Sequence, residues 1–345
     1  MTKFNLRKKF EYINMTDWAW PKTRKVRWAM LEICPTWKCN ALCLTCGAWK
    51  RGKTQKEELS IEQIKQLVYH PRFRHLRDVA IEGGEPSMWG NLKAYMELQL
   101  KHSDTIMIGI ITNGIKVNYW SEFAEKFKEY NDRVKFYVSL NGDEEVHDAS
   151  RGVKCYHKTV ATAKVLKDYG YRVQFSSITF DQNLDKIDHV VELGKSMGIT
   201  TNHCYPTNYG RFANEGDWTT DRESEIYEVY RKAQNRLKFL DKWAYDRFIT
   251  AVSERKVMPC YAGYRYVHVN PIGLLRPCLF DERVSFGQVT DNDVTMNPNY
   301  KDVLKRIPYG CQYTDGQLCD DCLVRKSIRS NIGGLLWWKL RKLVS

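Results

Sequence analysis

Two groups of cysteines have the spacing of metal or cluster ligands. The first is Cys39-Asn-Ala-Leu-Cys43-Leu-Thr-Cys46, a C-x3-C-x2-C run. Three thiolates on one short loop can hold three irons of a 4Fe–4S cube and leave the fourth iron without a protein ligand, open to a chelating small molecule. A structural zinc site also fits, with Cys34 as the fourth ligand. The second group opens with Cys260 and Cys278, a C-x12-G-x4-C pattern around Gly273, and closes with Cys319-Asp-Asp-Cys322. Four thiolates suffice for a fully ligated cubane or for tetrahedral zinc, and spacing does not separate the two. The odd total of eleven cysteines argues against a complete disulfide framework. Cys34, Cys155 and Cys204 have no partner spacing and read as buried inert thiols, and Cys311 is unassigned.

The elements that must position the first group follow from hydrophobic periodicity. Short apolar runs fall at Trp28 to Ile33, Asp78 to Glu82, Thr105 to Ile111, Val134 to Leu140, Tyr171 to Ile178 and Ile199 to Tyr205. Amphipathic helical patterns lie between them at Ser60 to His70, Asn91 to Lys101, Tyr119 to Tyr130, His157 to Tyr169 and Leu184 to Met197. Ser60 with Gln63 three residues on forms a capping box. Strands alternating with helices predict a parallel sheet with right-handed crossovers, and chemistry at the carboxyl ends of its strands. The unusual residues fall there. The cysteine loop follows the first strand, Glu82-Gly83-Gly84-Glu85-Pro86 the second, Thr112-Asn113-Gly114 the third and Ser139-Leu140-Asn141-Gly142 the fourth.

The cysteine loop, the Gly-Gly-Glu-Pro and the Ser-Leu-Asn-Gly together resemble the radical S-adenosylmethionine (radical SAM) superfamily over about residues 26–215. The resemblance implies an α/β fold, a partial (β/α)6 TIM-like barrel, with a 4Fe–4S cluster on Cys39, Cys43 and Cys46 and S-adenosylmethionine on its open iron. It implies that Gly83, Gly84 and Glu85 meet the methionine amino group, and that Ser139 and Arg151 face the ribose or carboxylate. It also places Ile178 on the adenine, with Pro86, Asn113 and Asn141 on the same rim, and matches Gly210-Arg211 to the family's turn after the sixth strand. Thr45 departs from the pattern, since the family usually has an aromatic residue there; Trp37 or Trp49 can supply the shielding. Beyond the barrel, the second cysteine group resembles a twitch module, a shortened relative of the SPASM domain. That implies an auxiliary 4Fe–4S cluster on Cys260, Cys278, Cys319 and Cys322. The expected chemistry is reductive cleavage of S-adenosylmethionine, hydrogen abstraction from substrate, and net oxidation with the second cluster accepting an electron. The substrate is then a small sugar or cyclitol alcohol; the alternative is a peptide or protein maturase. No residue is singled out as a proton donor, and an external flavodoxin- or ferredoxin-like carrier is expected to supply electrons. A zinc-bearing nucleic-acid-binding protein is the reading from a different class.

Composition bounds these readings. Hydrophobic content of 43% with 28% charged residues is ordinary for a globular chain of 345 residues. Neither an 18-residue apolar run nor a secretory signal is visible, so a cytoplasmic location is expected. Residues 1–27 and 323–345 each carry a net charge of +6, nearly all of the total of +13. Such ends are either solvated or bind an acidic partner or an anionic membrane, and the tail from Gly333 to Val344 is basic and amphipathic. The expected organisation is a basic extension (1–25), the barrel (26–215), a helical linker (216–257), the auxiliary-cluster module (258–325) and the tail (326–345).

Overall fold

The computed structural model describes residues 28–103, 105–204, 262–279 and 284–300, with Glu225 and Glu228. Cys260, Cys311, Cys319, Cys322, Gly210-Arg211, the rest of the helical linker and both basic ends lie outside the described residues.

Six parallel strands are β1 (Met30–Ile33), β2 (Asp78–Ile81), β3 (Met107–Thr112), β4 (Val134–Ser139), β5 (Arg172–Ile178) and β6 (Thr200–Cys204). The intervening helices are α1 (Ala48–Thr54), α2 (Ile61–Tyr69), α3 (Leu92–His102), α4 (Val117–Lys126), α5 (Glu144–Arg151), α6 (Tyr156–Asp168) and α7 (Ile187–Met197). Short 3-10 turns include one at Pro86–Met88. All six predicted strands and five predicted helices are present, and the Ser60–Gln63 capping box opens α2. The periodicity reading passed over α1 and α5. Both are short, and α5 packs its first turn with Glu144 and Glu145 rather than with apolar residues.

Four more strands follow: β7 (Tyr266–Val269), β8 (Leu274–Arg276), β9 (Gly287–Val289) and β10 (Val294–Met296). They do not form a separate sheet. The order is β10-β9-β8-β7-β1-β2-β3-β4-β5-β6, one sheet of ten strands. β7 lies parallel to β1 in the register Met30↔Tyr266 to Ile33↔Val269, and β8 to β10 continue as an antiparallel meander. The architecture is thus a parallel α/β partial barrel with an antiparallel extension joined through β1.

The two faces of the sheet differ as alternation demands. One face sends Leu31, Ile33, Val79, Ile81, Ile108, Ile110, Phe136, Val138, Phe175, Val267 and Val269 into a single core under the helices. Burying such side chains contributes about 1.5–3 kcal/mol each, before the entropy of ordering them. The opposite face holds Glu32, Lys135, Tyr137, Ser139, Gln174 and His268, register neighbours along the strands. A polar inner face over an apolar outer one directs the chemistry inward.

Candidate functional site

The cysteine loop leaves the carboxyl end of β1 and is fastened at both ends by main-chain bonds. Cys34 donates its N–H to the Val269 carbonyl at 2.8 Å, and Leu59 N–H reaches Pro35 O at 3.1 Å. Past Cys39 the loop lies against the last turn of α5: Leu42 N–H bonds Arg151 O at 2.8 Å, and Leu44 N–H bonds Ser150 O at 3.0 Å. These carbonyls are the ones a helix end leaves without intrahelical partners. Gly152 closes α5 at φ 65°, and a Cβ there would meet Leu42 O at 2.8 Å, so glycine answers both the left-handed turn and the close approach.

Each cysteine sulfur has an N–H aimed at it. Ala41 N–H lies 3.5 Å from Cys39 Sγ, Ala48 N–H 3.5 Å from Cys46 Sγ, and Arg151 Nη1 3.5 Å from Cys43 Sγ. Asn113 Nδ2 adds a contact of 4.0 Å to Cys39 Sγ and bonds Asn40 Oδ1 at 2.8 Å. Donors on every sulfur suit thiolates that carry charge to a metal cluster. Without a cluster the same closeness is costly: burial, then the neighbouring Cys43 thiolate, push the Cys39 thiol far up. Burial by itself favours neutral arginine at Arg151, but the charge and hydrogen bond of Cys43, with Cys155 and Cys39, together outweigh it and push its pKa up. The Nε of Arg151 is buried and has no hydrogen-bond partner among the described residues. The donor set therefore fits a thiolate-bound 4Fe–4S cluster.

The Gly-Gly-Glu-Pro segment packs on the same loop. Gly84 N–H bonds Thr36 O and Glu85 N–H bonds Lys38 O, both at 2.8 Å. A Cβ on Gly84 would come within 2.2 Å of Lys38 O, and one on Gly83 within 2.7 Å of Thr36 O. The close backbone approach seen at these glycines is made by the cysteine loop itself. Glu85 is almost wholly buried, at 1% exposure. Its Oε1 accepts from Thr112 Oγ1 at 2.7 Å, Ser87 Oγ at 2.8 Å and Ser87 N–H at 3.2 Å, and its Oε2 accepts from Asn113 N–H at 2.8 Å. Burial pushes its pKa up, and these donors work against that shift. Pro86 opens the buried turn that returns Ser87 to Glu85.

Asn141, buried at the end of β4, is likewise fully engaged. Its Nδ2 donates to Ser150 Oγ at 3.0 Å, its Oδ1 accepts from Ile178 N–H at 3.1 Å, and its carbonyl accepts from Asn183 Nδ2 at 2.8 Å. Its N–H bonds His147 Nδ1 at 3.2 Å, which leaves Nε2 of that ring to meet Cys155 Sγ at 3.4 Å. His147, Asp148 and Cys155 bring ligand-type atoms within 4.8 Å of one another, but Asp148 Oδ1 already accepts the N–H groups of Cys155 and Tyr156 at 2.8 Å each. The trio holds the end of α5 to the start of α6. Ser139 and Ile178 sit at strand ends in register with Ser176 and Cys204. The structure thus gathers Cys39, Cys43, Cys46, Gly83, Gly84, Glu85, Asn113 and Arg151 into one bonded unit, while Asn141 and Ile178 are tied to the neighbouring strand ends. Sequence reasoning missed Asn40 and the α5 carbonyls, and it named Thr112 and Trp49 without the hydrogen bonds they make to Glu85 and Cys43. The α5 signal was present in Asp143, Glu144 and Glu145, a capping residue and acidic first turn, with Gly152 eight residues after Glu144.

Cys278 stands elsewhere. It packs beside Met30 and Tyr266, at the amino ends of β1 and β7. The length of β1, about 13 Å for four residues, separates that end of the sheet from the cysteine loop.

Fold and site together define a thiolate-bearing parallel barrel with its chemistry at the carboxyl rim. Residues 33–194 match the radical SAM superfamily. Curated relatives agree: the antilisterial bacteriocin subtilosin biosynthesis protein AlbA of Bacillus subtilis is 25% identical over 74% of this chain and 56% of its own length. The mycofactocin maturase MftC of Mycolicibacterium smegmatis is 26% identical over 72% of this chain and 64% of its own. The chain thus spans less than two thirds of either relative. Among solved structures, SuiB of Streptococcus suis bound to the precursor peptide SuiA superposes with a TM-score of 0.61 at 14% identity, covering 92% of this chain and 80% of that one. anSMEcpe with bound S-adenosylmethionine gives 0.61 at 17% identity, over 81% and 80%. The match speaks for the cluster reading of the first cysteine group, and the relatives favour the peptide alternative over the small alcohol. No helix among the described residues is long and apolar enough to cross a membrane.

Proposed function

We propose that this chain is a radical SAM maturase that modifies a peptide. The observation that carries the reading is the pair of relatives, one named for biosynthesis of a bacteriocin and one for maturation, aligned over nearly three quarters of the chain. When bound on Cys39, Cys43 and Cys46, the cluster supplies the electron that cleaves S-adenosylmethionine to methionine and a 5′-deoxyadenosyl radical, which takes a hydrogen atom from substrate.

The chain's own residues hold, orient and shield. Arg151 and the Ala41 and Ala48 N–H groups stabilise charge on the three sulfurs. Glu85 locks the end of β3 to the cysteine loop through Thr112 and Asn113. Gly83, Gly84, Glu85 and Pro86 line the amino-group side of the S-adenosylmethionine subsite, Ser139 and Arg151 its ribose or carboxylate side, and Ile178 its adenine side. Asn113 and Asn141 support that rim. Cys260, Cys278, Cys319 and Cys322 would hold an auxiliary 4Fe–4S cluster, which would supply an electron acceptor for a net oxidation. The place of Cys278 at the opposite end of β1 from the cysteine loop supports two separate sites, since it sets that ligand apart from Cys39, Cys43 and Cys46.

The test uses anaerobically reconstituted protein, S-adenosylmethionine and dithionite with peptide and small-alcohol substrates deuterated at carbon. Deuterium in 5′-deoxyadenosine from a peptide is the expected result; transfer from an alcohol alone would reverse the assignment. Cys43→Ala should abolish 5′-deoxyadenosine, and Cys278→Ala should keep cleavage but stop product formation. About eight irons and no zinc per chain are expected, whereas about four irons with one zinc would make the C-terminal site structural.

A further inference from the structure

One buried hydroxyl beside the second cysteine group lacks a partner. Tyr266 opens β7 and is 1% exposed, yet its phenol oxygen meets no hydrogen-bonding atom among the described residues. A tyrosine taken that far from water ordinarily finds a partner for its O–H, because the lost hydration is otherwise uncompensated.

The β7–β8 hairpin decides what that side chain faces. Gly273 N–H bonds Asn270 O at 2.9 Å, and Asn270 Oδ1 accepts from Ile272 N–H at 3.2 Å and Leu274 N–H at 2.9 Å. Gly273 stands at φ 79°, and a Cβ there would come within 2.3 Å of Val289 O, so the turn and the close approach both call for glycine. From that turn the ladder pairs Val269 with Leu275 and His268 with Arg276. Carried two residues further, the same register sets Tyr266 opposite Cys278. Alternation keeps these two on one face, while Val267 and Leu275 enter the apolar core. Tyr266 and Cys278 do pack together, in a small cluster with Met30 and Ala80. Side chains directly opposite on antiparallel strands have Cβ atoms about 4.5–5.5 Å apart, within reach of a phenol. The step from Gly273 to Cys278, in the sequence only a spacing, thus selects Tyr266 as the cross-strand neighbour of the cysteine.

From this we infer that the Tyr266 hydroxyl donates a hydrogen bond to sulfur, either that of Cys278 or a sulfide of the auxiliary cluster it would hold, and so raises the reduction potential of that cluster. The inference rests on the auxiliary-cluster reading of the second cysteine group. Thiolate and sulfide sulfurs are acceptors, which is what an unpaired phenol O–H needs. An added electron makes those sulfurs more negative, so a donor stabilises the reduced cluster more than the oxidised one. Tyr266 is thereby a positioning residue, acting on any substrate only through the cluster.

The experiment compares the loaded parent with Tyr266→Phe and Tyr95→Phe. Tyr95 is the control, an equally buried phenol without a partner that sits on α3 in the main core. Iron and zinc per chain are measured first. The midpoint of the second cluster is then read by an EPR-monitored redox titration. Added S-adenosylmethionine shifts only the signal of the cluster with an open iron, which tells the two apart. For Tyr266→Phe the expected result is full iron content with about a tenfold fall in the equilibrium constant for electron acceptance, a midpoint lower by about 59 mV for one electron. Tyr95→Phe should keep the parent's midpoint. Placing 3-fluorotyrosine at position 266, a stronger donor of nearly the same shape, should move the midpoint up, and this reading stands even where the phenylalanine variant loads poorly. A midpoint that stays put with fluorotyrosine overturns the inference while leaving the auxiliary cluster in place. Zinc in the second site, or only about four irons per chain in the parent, sinks the auxiliary-cluster reading and the inference with it.

Discussion

At the scale of single residues, Glu85 shows how a motif residue read as a ligand contact also holds the site together. Four donors converge on its two oxygens inside the protein. Glu85→Gln keeps the shape but turns an amide N–H toward a donor, and a loss of roughly 2–4 kcal/mol is expected. Iron retained per chain and the thermal midpoint would both fall; a variant that loads iron and melts like the parent would refute the assignment. His147 offers a pH test. Burial, then the Arg151 charge, hold its imidazole down to about 2, against about 6.5 in an unfolded chain. Its contribution is thus fully present above about pH 6.5 and fades as pH falls, on the order of 1.4 kcal/mol per unit. Urea midpoints at pH 5 and 7.5 should differ by less in His147→Gln than in the parent. The cysteines, glycines and Glu85 were legible in the sequence because their types and spacing are unusual. Thr112 and the α5 carbonyls were not, because a hydroxyl or a main-chain oxygen announces nothing until folding brings its partner near.

At the scale of elements, the loop after β2 and the loop after β1 are one unit, zipped by Gly84 and Glu85 onto Thr36 and Lys38. Gly84→Ala would drive a methyl into main-chain oxygens at 2.2 and 2.5 Å and should part the two loops. A drop in stability above about 2 kcal/mol and poor iron loading are expected. Gly90, six residues on, faces open space, so Gly90→Ala should be nearly silent in the same melting and iron assays. Strands and long helices could be read from alternation and amphipathic period. α5 could not be read so, since four of its first five residues are acidic or histidine and its information lies in its caps.

At the scale of the molecule, the sheet joins what the sequence suggested were a barrel and a module. β7 covers the edge of β1, Trp28 Nε1 reaches Gly263 O at 2.9 Å, and Gln63 Nε2 reaches Val289 O at 2.8 Å. A chain ended at Cys204 would bare the β1 edge and the apolar face around Leu31 and Ile33, and is expected to aggregate rather than yield a monomer by size exclusion. Recovery of a stable monomer would show that the barrel needs no extension. Pairing across so great a sequence distance cannot be foreseen from local pattern, which is silent on which runs meet. The join between β1 and β7 also sets an order of events in the cell. Cys34 at the foot of the cysteine loop is bonded to Val269, so the loop gains its final footing only after the ribosome has made more than two thirds of the chain. At ordinary elongation rates that is a wait on the order of tens of seconds, during which the thiols stand unsupported. Iron–sulfur loading of this protein therefore belongs late in its biogenesis, after synthesis of its second half.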